Sequence, residues 1–411
     1  MKSALTRTKA AAFAVTALAG IPLVLSGCGS STTPGSGGPV TEISVVDYYN
    51  NEPDKSVIGD TLTACGTQSG VTIKRETVPG KSLIAKVLQQ ASSKTLPDVL
   101  MLDNPDLQQI AGTGALAPLS DFNISTEGYP DGILSAGTYK DQVYGLAPTV
   151  NTIALFYNKD VLAQAGITPP TTWEELTTAA AALTAGDQYG LAFNANATYE
   201  GTWQFLPFMW SNGGDEKNIA TPESAEALQL WTDLVKSGSV SSSALNWTQA
   251  DVNDQFIARK AAMMVNGPWQ IPVLDKQAAL QYGVVNIPVK DAGQTPVGPL
   301  GGEVWTVPQT GNKDKQAKAA EVVACMNSDE NQLAMAKARN TIPSKTKVAA
   351  QFAAENPKLA SFAELVETAR ARTGQLGEEW PDQATKIYTA IQRALTDQAS
   401  PADALKQAQE G

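Results

Sequence analysis

The sequence predicts an α/β fold in which helices cover a mainly parallel sheet. Two observations lead to this prediction. Strand-like apolar segments alternate with amphipathic, helix-like segments along the first third of the chain, and the last third is almost wholly helical in its periodicity. That alternation is typical of parallel strands joined by crossover helices. With 411 residues, the chain is also long enough for two domains.

The first third supplies the alternation, one element after another. Residues 43–46 form an apolar strand, residues 54–69 an amphipathic helix, and residues 71–78 an extended segment. Residues 81–91 place their apolar side chains on one helical face, and a strand follows at residues 99–102. In such sheets, ligands bind beyond the carboxyl ends of the strands. The residues that follow the strands are therefore the first candidates for a binding site.

The rest of the chain continues with strands in the middle and helices towards the end. Thr172 and Glu175 belong to a capping box that opens a helix. Further strands are predicted at residues 143–146, 152–157, 262–265 and 304–307. Further helices are predicted at residues 203–210, 223–235, 250–259, 313–326, 330–338, 359–370, 383–395 and 402–409.

The N-terminal segment has the pattern of a bacterial lipoprotein signal. Three basic residues lie within the first nine, residues 10–25 are almost all apolar or small, and small residues precede Cys28. An ordinary signal peptide is one alternative; a membrane span, which needs about 20 apolar residues, is another. We predict a signal peptide at residues 1–27, and a lipidated Cys28 with a flexible tether at residues 28–40. The protein would then work outside the cytoplasmic membrane.

The remaining chain is acidic and lacks histidine. Removing the three basic residues of the signal leaves 27 basic and 41 acidic residues, a net charge of −14. No run of Lys or Arg remains, so nucleic-acid binding is not expected, and the lipid is the expected membrane anchor. The absence of histidine excludes Ser-His-Asp and Cys-His nucleophile pairs and His-ligated metals.

Two cysteines follow Cys28, and they are too few for a thiolate metal site. Cys65 and Cys325 each occupy an apolar position of a predicted helix. We therefore favour two separately buried thiols, with a disulfide in an oxidising exterior as the alternative. Neither arrangement implies catalysis.

Several short motifs resemble catalytic ones but lack the required context. Gly80-Lys81-Ser82 has Arg75 where a phosphate-binding loop needs its leading glycine, and residues 112–117 follow a helix rather than a strand. Helix capping accounts for the carboxylates of residues 174–175. A glycosidase, which needs only two carboxyl groups, is the enzymatic alternative. We predict a protein that is not an enzyme and has no cofactor and no metal site.

Seven segments, taken in chain order, carry a family resemblance. They are residues 97–103 (PDVLMLD), 114–119 (GALAPL), 143–148 (VYGLAP), 155–160 (LFYNKD), 166–173 (GITPPTTW) and 261–269 (AAMMVNGPW), and Gly301-Gly302 ahead of Trp305. Together they resemble the extracellular solute-binding proteins of ABC importers, in particular the sugar-binding family that includes the maltose-binding protein. The resemblance extends over nearly the whole chain after the signal.

This resemblance implies a type II periplasmic-binding-protein fold. Two α/β lobes would be joined by three crossing segments, with the ligand in the cleft between the lobes, and closure would be a hinge motion. Mapped onto this chain, the crossings fall near residues 148–152, 265–267 and 309–314. The first lobe would comprise residues 41–149 and 267–311, and the second lobe residues 150–266 and 312–411.

A sugar presents hydroxyl groups around its rim and apolar C–H faces, so its site combines aromatic rings with fixed polar groups. The residues expected in the cleft are Tyr49, Asn50, Asp103, Asn104, Asn151, Glu200, Trp203, Trp269, Gly302, Glu303, Arg339 and Trp380. Glycine at 302 would let the backbone approach the ligand closely. Structural roles are the alternatives: Trp269 as a helix anchor, Asp103 as a helix cap, and Trp203 in core packing.

The expected function is that of a lipid-anchored, extracytoplasmic receptor of an ABC transporter. It would capture a di- or oligosaccharide as a monomer and deliver it to the transmembrane subunits of the permease. A polyol or a glycerophosphodiester is the alternative ligand. A phosphate would require Arg or Lys in the cleft, and Arg339 is the obvious candidate.

Overall fold

The computed structural model describes residues 38–356 and 359–411. Residues 40–411 form one compact unit. Its strands are β1 (Glu42–Asp47), β2 (Thr72–Thr77), β3 (Val99–Asp103), β4 (Leu116–Ala117), β5 (Thr138–Tyr139), β6 (Gln142–Val143), β7 (Gly145–Leu146), β8 (Thr149–Val150), β9 (Ala154–Asn158), β10 (Tyr189–Ala192), β11 (Ala261–Asn266), β12 (Tyr282–Val285), β13 (Pro299–Leu300), β14 (Glu303–Pro308), β15 (Ile342–Pro343) and β16 (Arg370–Ala371).

The helices follow apolar spacing and local caps, and most of the predicted ones are confirmed. They are α1 (Asp54–Gln68), α2 (Gly80–Ser93), α3 (Asn104–Gly112), α4 (Asp131–Ala136), α5 (Lys159–Ala165), α6 (Trp173–Leu183), α7 (Tyr199–Ser211), α8 (Pro222–Lys236), α9 (Gln249–Ile257), α10 (Ile271–Leu274), α11 (Lys313–Met326), α12 (Asp329–Arg339), α13 (Thr346–Glu355), α14 (Ala360–Glu367), α15 (Trp380–Leu395) and α16 (Pro401–Glu410). The predicted capping box opens α6, where the Thr172 hydroxyl accepts from the Glu175 backbone N–H and the Glu175 carboxylate accepts from that of Thr172.

The first lobe is built on a sheet with the strand order β2-β1-β3-β14-β4, and β7 also pairs with β14. The strands β2, β1 and β3 are parallel, as the strand–helix alternation predicted, whereas β14 returns antiparallel to β3. The pairing of β3 with β14 places Asp103 directly opposite Glu303. Two acidic residues from distant parts of the chain therefore lie side by side where β3 ends and β14 begins.

The second lobe is built on a four-stranded sheet with the order β10-β11-β9-β12. Its core includes Trp231, whose ring stacks on Phe193 with 4.0 Å between the centroids. The helix α15 packs against α7 and α8 in the same lobe. Together, the two mixed sheets and their covering helices confirm the predicted α/β class.

The predicted lobe boundaries need correction at two places. The helices α11 and α12 pack against α1 of the first lobe, although the prediction assigned residues 312–411 as a whole to the second lobe. Conversely, β12 pairs with β9 of the second sheet, although the prediction assigned residues 267–311 to the first lobe. Amphipathic spacing shows that a helix has an apolar face but not which sheet that face covers, so the sequence pattern could not decide this.

The two cysteines form a disulfide, which overturns the favoured prediction of separate thiols. Cys65 of α1 is bonded to Cys325 of α11, with 5.6 Å between their Cα atoms and 260 residues between them in sequence. The apolar faces of α1 and α11 were predicted, but not that the two helices pack against each other and so bring the cysteines together. The bond ties an early helix to a late one within the first lobe.

Three neighbouring segments connect the lobes. The first runs from β8 to β9, and its Asn151 exchanges backbone hydrogen bonds of 3.1 and 2.9 Å with Gly301 of the second. The third contains β16, which pairs in parallel with β13 of the second segment. The crossing predicted at residues 148–152 is therefore confirmed. Those at 265–267 and 309–314 are wrong, because β11 lies inside the second sheet and residues 309–314 lead from β14 into α11.

The predicted signal peptide and the lipidation of Cys28 lie outside the described residues. Among residues 38–356 and 359–411, no helix is both long and apolar enough to cross a bilayer. The same part of the chain contains no cluster of three or more acidic or cysteine side chains suited to a metal ion.

Candidate functional site

The candidate site lies where the crossing segments meet the carboxyl end of β3. Asp103 ends β3, Asn104 starts α3, and Glu303 starts the neighbouring β14. In α/β sheets, ligands bind beyond the carboxyl ends of the strands. We call the residues gathered here the junction cluster: Tyr48, Tyr49, Asp54, Asp103, Asn104, Asp106, Asn151, Trp203, Glu303, Arg339 and Arg372.

Arg372 is the central cation of the junction cluster. Its guanidinium donates to Asp103 at 2.8 Å and to the Asn104 side-chain oxygen at 3.2 Å. On its other side, the guanidinium carbon lies 4.5 Å from the centroid of the Trp203 ring. Because Trp203 belongs to α7 of the second lobe, this one side chain connects both lobes through an ion pair and a cation–π contact.

Arg370, two residues earlier on the same extended segment, contacts the second lobe. It forms an ion pair of 2.9 Å with Glu216 and lies 4.7 Å from the Trp210 ring centroid. The Trp210 indole N–H also donates to Glu216, at 2.7 Å. In the third crossing, Arg370 therefore contacts the second lobe, and Arg372 contacts both lobes.

A second charged group adjoins Arg372, around Glu303. The hydroxyls of Tyr48 and Tyr49 both donate to the Glu303 carboxylate. Arg339 forms an ion pair of 2.7 Å with Asp54 and lies 4.6 Å from the Tyr49 ring centroid. Burial is the main cause that raises the pKa of both tyrosine hydroxyls, so they remain protonated donors.

Two glycines allow the crossing segments to approach one another. A Cβ on Gly301 would lie 2.1 Å from the Asn151 side-chain oxygen and 2.7 Å from the Trp203 ring. Gly302 has φ +134°, and a Cβ there would lie 2.9 Å from the Thr149 carbonyl. The prediction that Gly302 approaches a ligand stays a prediction, because the contacts described here are between protein groups.

Asp106 is a buried carboxyl group at this junction. It is 6% exposed, and its Oδ1 has no hydrogen-bond partner among the described residues. Burial is the main cause that raises the pKa of Asp106 to about 8; the neighbouring Asp103 raises it further, while Arg372 opposes the shift. Since buried polar groups normally have partners, this unsatisfied oxygen indicates a place for a ligand group or water.

The contacts described above involve eight of the predicted residues, and the other four stay predictions. The eight are Tyr49, Asp103, Asn104, Asn151, Trp203, Gly302, Glu303 and Arg339. Asn50 is exposed on the loop after β1. Glu200 accepts from Asn194 at 2.8 Å within the second lobe, and burial raises the pKa of its carboxyl.

The two remaining tryptophans pack in the second lobe. The ring of Trp269 is half-buried and covers Gly267 of its own segment. Trp380 is 0% exposed, and its indole N–H has no hydrogen-bond partner among the described residues; its ligand contact stays a prediction. A tryptophan that starts an amphipathic helix can face either way, and the sequence does not distinguish the two.

Sequence reasoning missed Arg372, Asp106 and Tyr199. Arg372 alternates with Arg370 in residues 369–374, a pattern typical of an extended segment, whereas the predicted helix continued to residue 370. Tyr199 is half-buried at the start of α7, where burial and then the charge of Asp106 raise its pKa. No local pattern marks Asp106, because an acidic residue in the first turn of a helix is common.

The junction cluster can bind a polar, uncharged molecule. Its arginines are already paired with carboxylates, Arg372 with Asp103 and Arg339 with Asp54. What it offers is aromatic surface together with unsatisfied polar atoms. The Arg372 Nε, the Trp203 indole N–H and the Asp106 Oδ1 are buried without hydrogen-bond partners among the described residues.

The chain is similar to known solute-binding proteins. A solute-binding lipoprotein of a maltooligosaccharide ABC transporter from Streptococcus pneumoniae is 25% identical over 356 residues, covering 82% of this chain and 81% of the relative. The solved cyclic α-maltosyl-1,6-maltose binding protein of Arthrobacter globiformis superposes with a TM-score of 0.75 at 25% identity, covering 91% of this chain and 98% of that one.

A third match concerns the fold alone. The solute-binding protein of an ABC transporter from Thermotoga lettingae, solved bound with α-D-tagatose, has a TM-score of 0.80 at 23% identity, covering 90% of this chain and 98% of that one. The two-lobed periplasmic-binding-protein fold is therefore shown. The family model for bacterial extracellular solute-binding proteins matches residues 61–365, well over half of the chain, and this protein belongs to that family.

Proposed function

We propose that this protein captures an oligosaccharide at the junction cluster between its two lobes and delivers it, chemically unchanged, to the permease of an ABC transporter. The observation that carries this proposal is the group of buried, unpartnered polar atoms on Asp106, Arg372 and Trp203. They come from α3, the third crossing and α7, so a molecule bound to all three would contact both lobes.

The chemistry of the cluster favours a neutral, hydroxyl-rich ligand. Sugar hydroxyls can donate to a carboxyl oxygen and accept from an indole or guanidinium N–H. The Trp203 ring, which the Arg372 guanidinium contacts, adds an aromatic group to the same cluster. The names of two relatives, a maltooligosaccharide transporter lipoprotein and a cyclic maltosyl-maltose binding protein, support a saccharide of two or more units.

An anionic solute such as a glycerophosphodiester is less well supported. Arg372 is compensated by Asp103, and Arg339 by Asp54 and by Glu303 at 4.0 Å. A phosphate would have to displace one of these carboxylates from its arginine. The phosphate would gain an arginine only by breaking a charge-assisted ion pair that this arginine already makes, so the neutral ligand is preferred.

The lipid anchor and the permease complete the proposal. The lipoprotein pattern that ends at Cys28, together with a relative named as a lipoprotein, supports attachment to the outer face of the membrane. A monomer tethered by residues 28–40 could reach a permease in the same membrane. We propose no catalytic step, because the sequence has no histidine and its relatives are solute-binding proteins.

A solute screen followed by two matched variants tests this function. The full chain is titrated calorimetrically with maltose, maltotriose, mannotriose, mannitol and glycerophosphocholine. Asp103→Asn is expected to weaken binding of the best sugar at least tenfold, since a charge-assisted hydrogen bond contributes about 1.5–3 kcal/mol. Asp98→Asn is the control: Asp98 precedes the same strand, where it binds Ser44 and Lys315.

The outcomes separate the alternatives. Sugar binding that Asp103→Asn weakens and Asp98→Asn leaves unchanged supports the proposed cleft. Binding of glycerophosphocholine or mannitol, with no response to any sugar, would replace the saccharide by one of those solutes. A sugar affinity of Asp103→Asn equal to that of Asp98→Asn and of the wild type would place the site elsewhere in the molecule.

A further inference from the structure

The helix α7 lies along two of the three crossing segments. Its Trp203 and Trp210 differ by seven positions, about two helical turns, and therefore lie on one face of the helix. The guanidinium carbon of Arg372 lies 4.5 Å from the Trp203 ring centroid, and that of Arg370 lies 4.7 Å from the Trp210 ring centroid. The third crossing therefore runs along this face in the direction opposite to that of α7.

The second crossing follows the same helix. The Val297 backbone N–H donates to the Ser211 hydroxyl at 2.9 Å, directly after Trp210. At its other end, Gly301 lies against Trp203, since a Cβ added to Gly301 would lie 2.7 Å from that ring. Both crossings therefore run along α7 in one direction, in agreement with the parallel pairing of β13 with β16.

A buried carboxylate completes the attachment at the carboxyl-terminal end of α7. Glu216 is 0% exposed, and it accepts from the Trp210 indole N–H at 2.7 Å and from the Arg370 guanidinium at 2.9 and 3.1 Å. A buried ion pair adds little net stability compared with apolar packing, but separating its partners is unfavourable, so it holds one geometry. We call Trp210, Ser211, Glu216 and Arg370 the hinge anchor.

We propose that the hinge anchor is a positioning site for ligand capture. It fixes the third crossing along α7 so that Arg372 lies between Asp103 of the first lobe and Trp203 of the second. Glu216 and Arg370 thereby set the sugar affinity without contacting the sugar. The inference rests on the proposed saccharide function and adds to it positioning residues outside the junction cluster.

The effect on affinity follows from the short stretch of chain between the two arginines. Arg370 and Arg372 are separated by one residue of an extended segment, so a displacement of the first displaces the second. Without the ion pair to Glu216, the third crossing is free to take several positions along α7. The arrangement in which Arg372 contacts both lobes is then only a fraction of the molecules, and the apparent affinity falls by that fraction.

The test is calorimetric titration of the full chain with maltotriose, and with whichever sugar of the screen binds best. Glu216→Gln keeps an acceptor for the Trp210 indole but loses the charge opposite Arg370, and it is expected to weaken binding about fivefold or more. Asp397→Asn is the charge control. It removes another ion pair of the second lobe, with Lys236 at 2.6 Å, and should bind as the wild type does.

Two variants of Arg370 test the same site from its other side. Arg370→Met removes the charge at a side chain that is 31% exposed, so it provides the test if Glu216→Gln does not fold. It should weaken sugar binding as Glu216→Gln does. Arg370→Lys keeps a positive charge opposite Glu216 and should recover part of the affinity that Arg370→Met loses.

A stability control separates positioning from general weakening of the lobe. Leu405 is 0% exposed in α16, which packs against α8 and α15. Leu405→Ala should therefore lower the free energy of unfolding in urea but leave the sugar affinity of the folded protein unchanged.

Hydrogen exchange gives the local readout. The backbone amides of Val297 and Arg370 donate to the Ser211 hydroxyl and the Gly298 carbonyl. In Glu216→Gln without sugar, segments 296–301 and 368–372 should exchange faster than in the wild type, whereas the strands of the second sheet should not.

The outcomes separate this inference from the proposed function. Wild-type affinity in both Glu216→Gln and Arg370→Met would overturn the positioning site and leave the proposed function standing. So would an equal loss of affinity in Leu405→Ala, because binding would then follow stability. A wild-type protein that binds no sugar of the screen would overturn the proposed function, and this inference with it.

Discussion

The bond between Cys65 and Cys325 is expected to contribute a large share of the stability of the protein. It closes a loop of 260 residues in the unfolded chain. In the chain-entropy model, a loop of that length corresponds to roughly 5.5 kcal/mol at 25 °C, and loss of a native disulfide typically costs about 2–5 kcal/mol. Since whole domains are stable by only about 5–15 kcal/mol, the unbonded protein should be folded but much less stable.

Two perturbations test this magnitude in complementary ways. One is the double variant Cys65→Ala/Cys325→Ala, and the other is the wild type reduced with dithiothreitol, which keeps every side chain. Each is unfolded in urea and followed by tryptophan fluorescence, and the free energy of unfolding is extrapolated to water. We expect both to lose about 2–5 kcal/mol relative to the oxidised wild type.

Agreement between the two perturbations would assign the loss to the cross-link, because only the variant also removes buried atoms. Packing of α1 against α11 remains in both, so the native fluorescence at zero urea should be preserved. The reasoning is refuted if the reduced wild type unfolds at the same urea concentration as the oxidised protein. A loss confined to the double variant would point to a packing defect around Cys65, which is wholly buried.

Three other outcomes can be measured. Burial raises the pKa of Asp106 from 3.8 to about 8. Between about pH 4 and pH 8 the unfolded chain has therefore lost this proton while the folded protein keeps it. The free energy of unfolding should fall as pH rises through this range, by up to ~1.4 kcal/mol per pH unit. Asp106→Asn should remove that part of the slope in urea unfolding at pH 5 and pH 8, and an identical slope in both proteins would contradict the assignment. Trp269→Ala is expected to weaken sugar binding by about 1–3 kcal/mol if its ring stacks on the ligand, with unaltered circular dichroism; unchanged calorimetric affinity would remove Trp269 from the site. Cys28→Ala should release the protein from the membrane fraction into the medium, and continued retention would argue against a lipid anchor.

The sequence predicted those parts of the fold that depend on neighbouring residues. The capping box of Thr172 and Glu175 joins residues three positions apart, and the bounds of α11 follow from its own apolar spacing. The polar residues at the carboxyl end of β3 could also be placed, because a strand end is a local feature. Asp103 and Asn104 were therefore correctly located at the junction of the lobes, although their contact with a ligand stays a prediction.

Prediction was weaker wherever one pattern allowed two arrangements. The apolar faces around Cys65 and Cys325 were recognised, but whether they meet depends on the sheet that each covers. Trp380 and Trp203 have the same residue type near the start of a helix, yet one is wholly enclosed and the other contacts Arg372. Residue type and spacing do not give the direction of a side chain relative to distant elements.

The sequence by itself determined the α/β class, most of the helices and strands, the acidic charge and the family resemblance. Only the tertiary structure decided which helices cover which sheet, that the two cysteines are bonded, and that Arg372 neutralises Asp103 across 269 residues of chain. The physical reason is one of range. Hydrogen bonds of helices and caps join residues a few positions apart, whereas burial and charge pairing depend on groups that only folding brings together, and they decide which polar atoms remain free for a ligand.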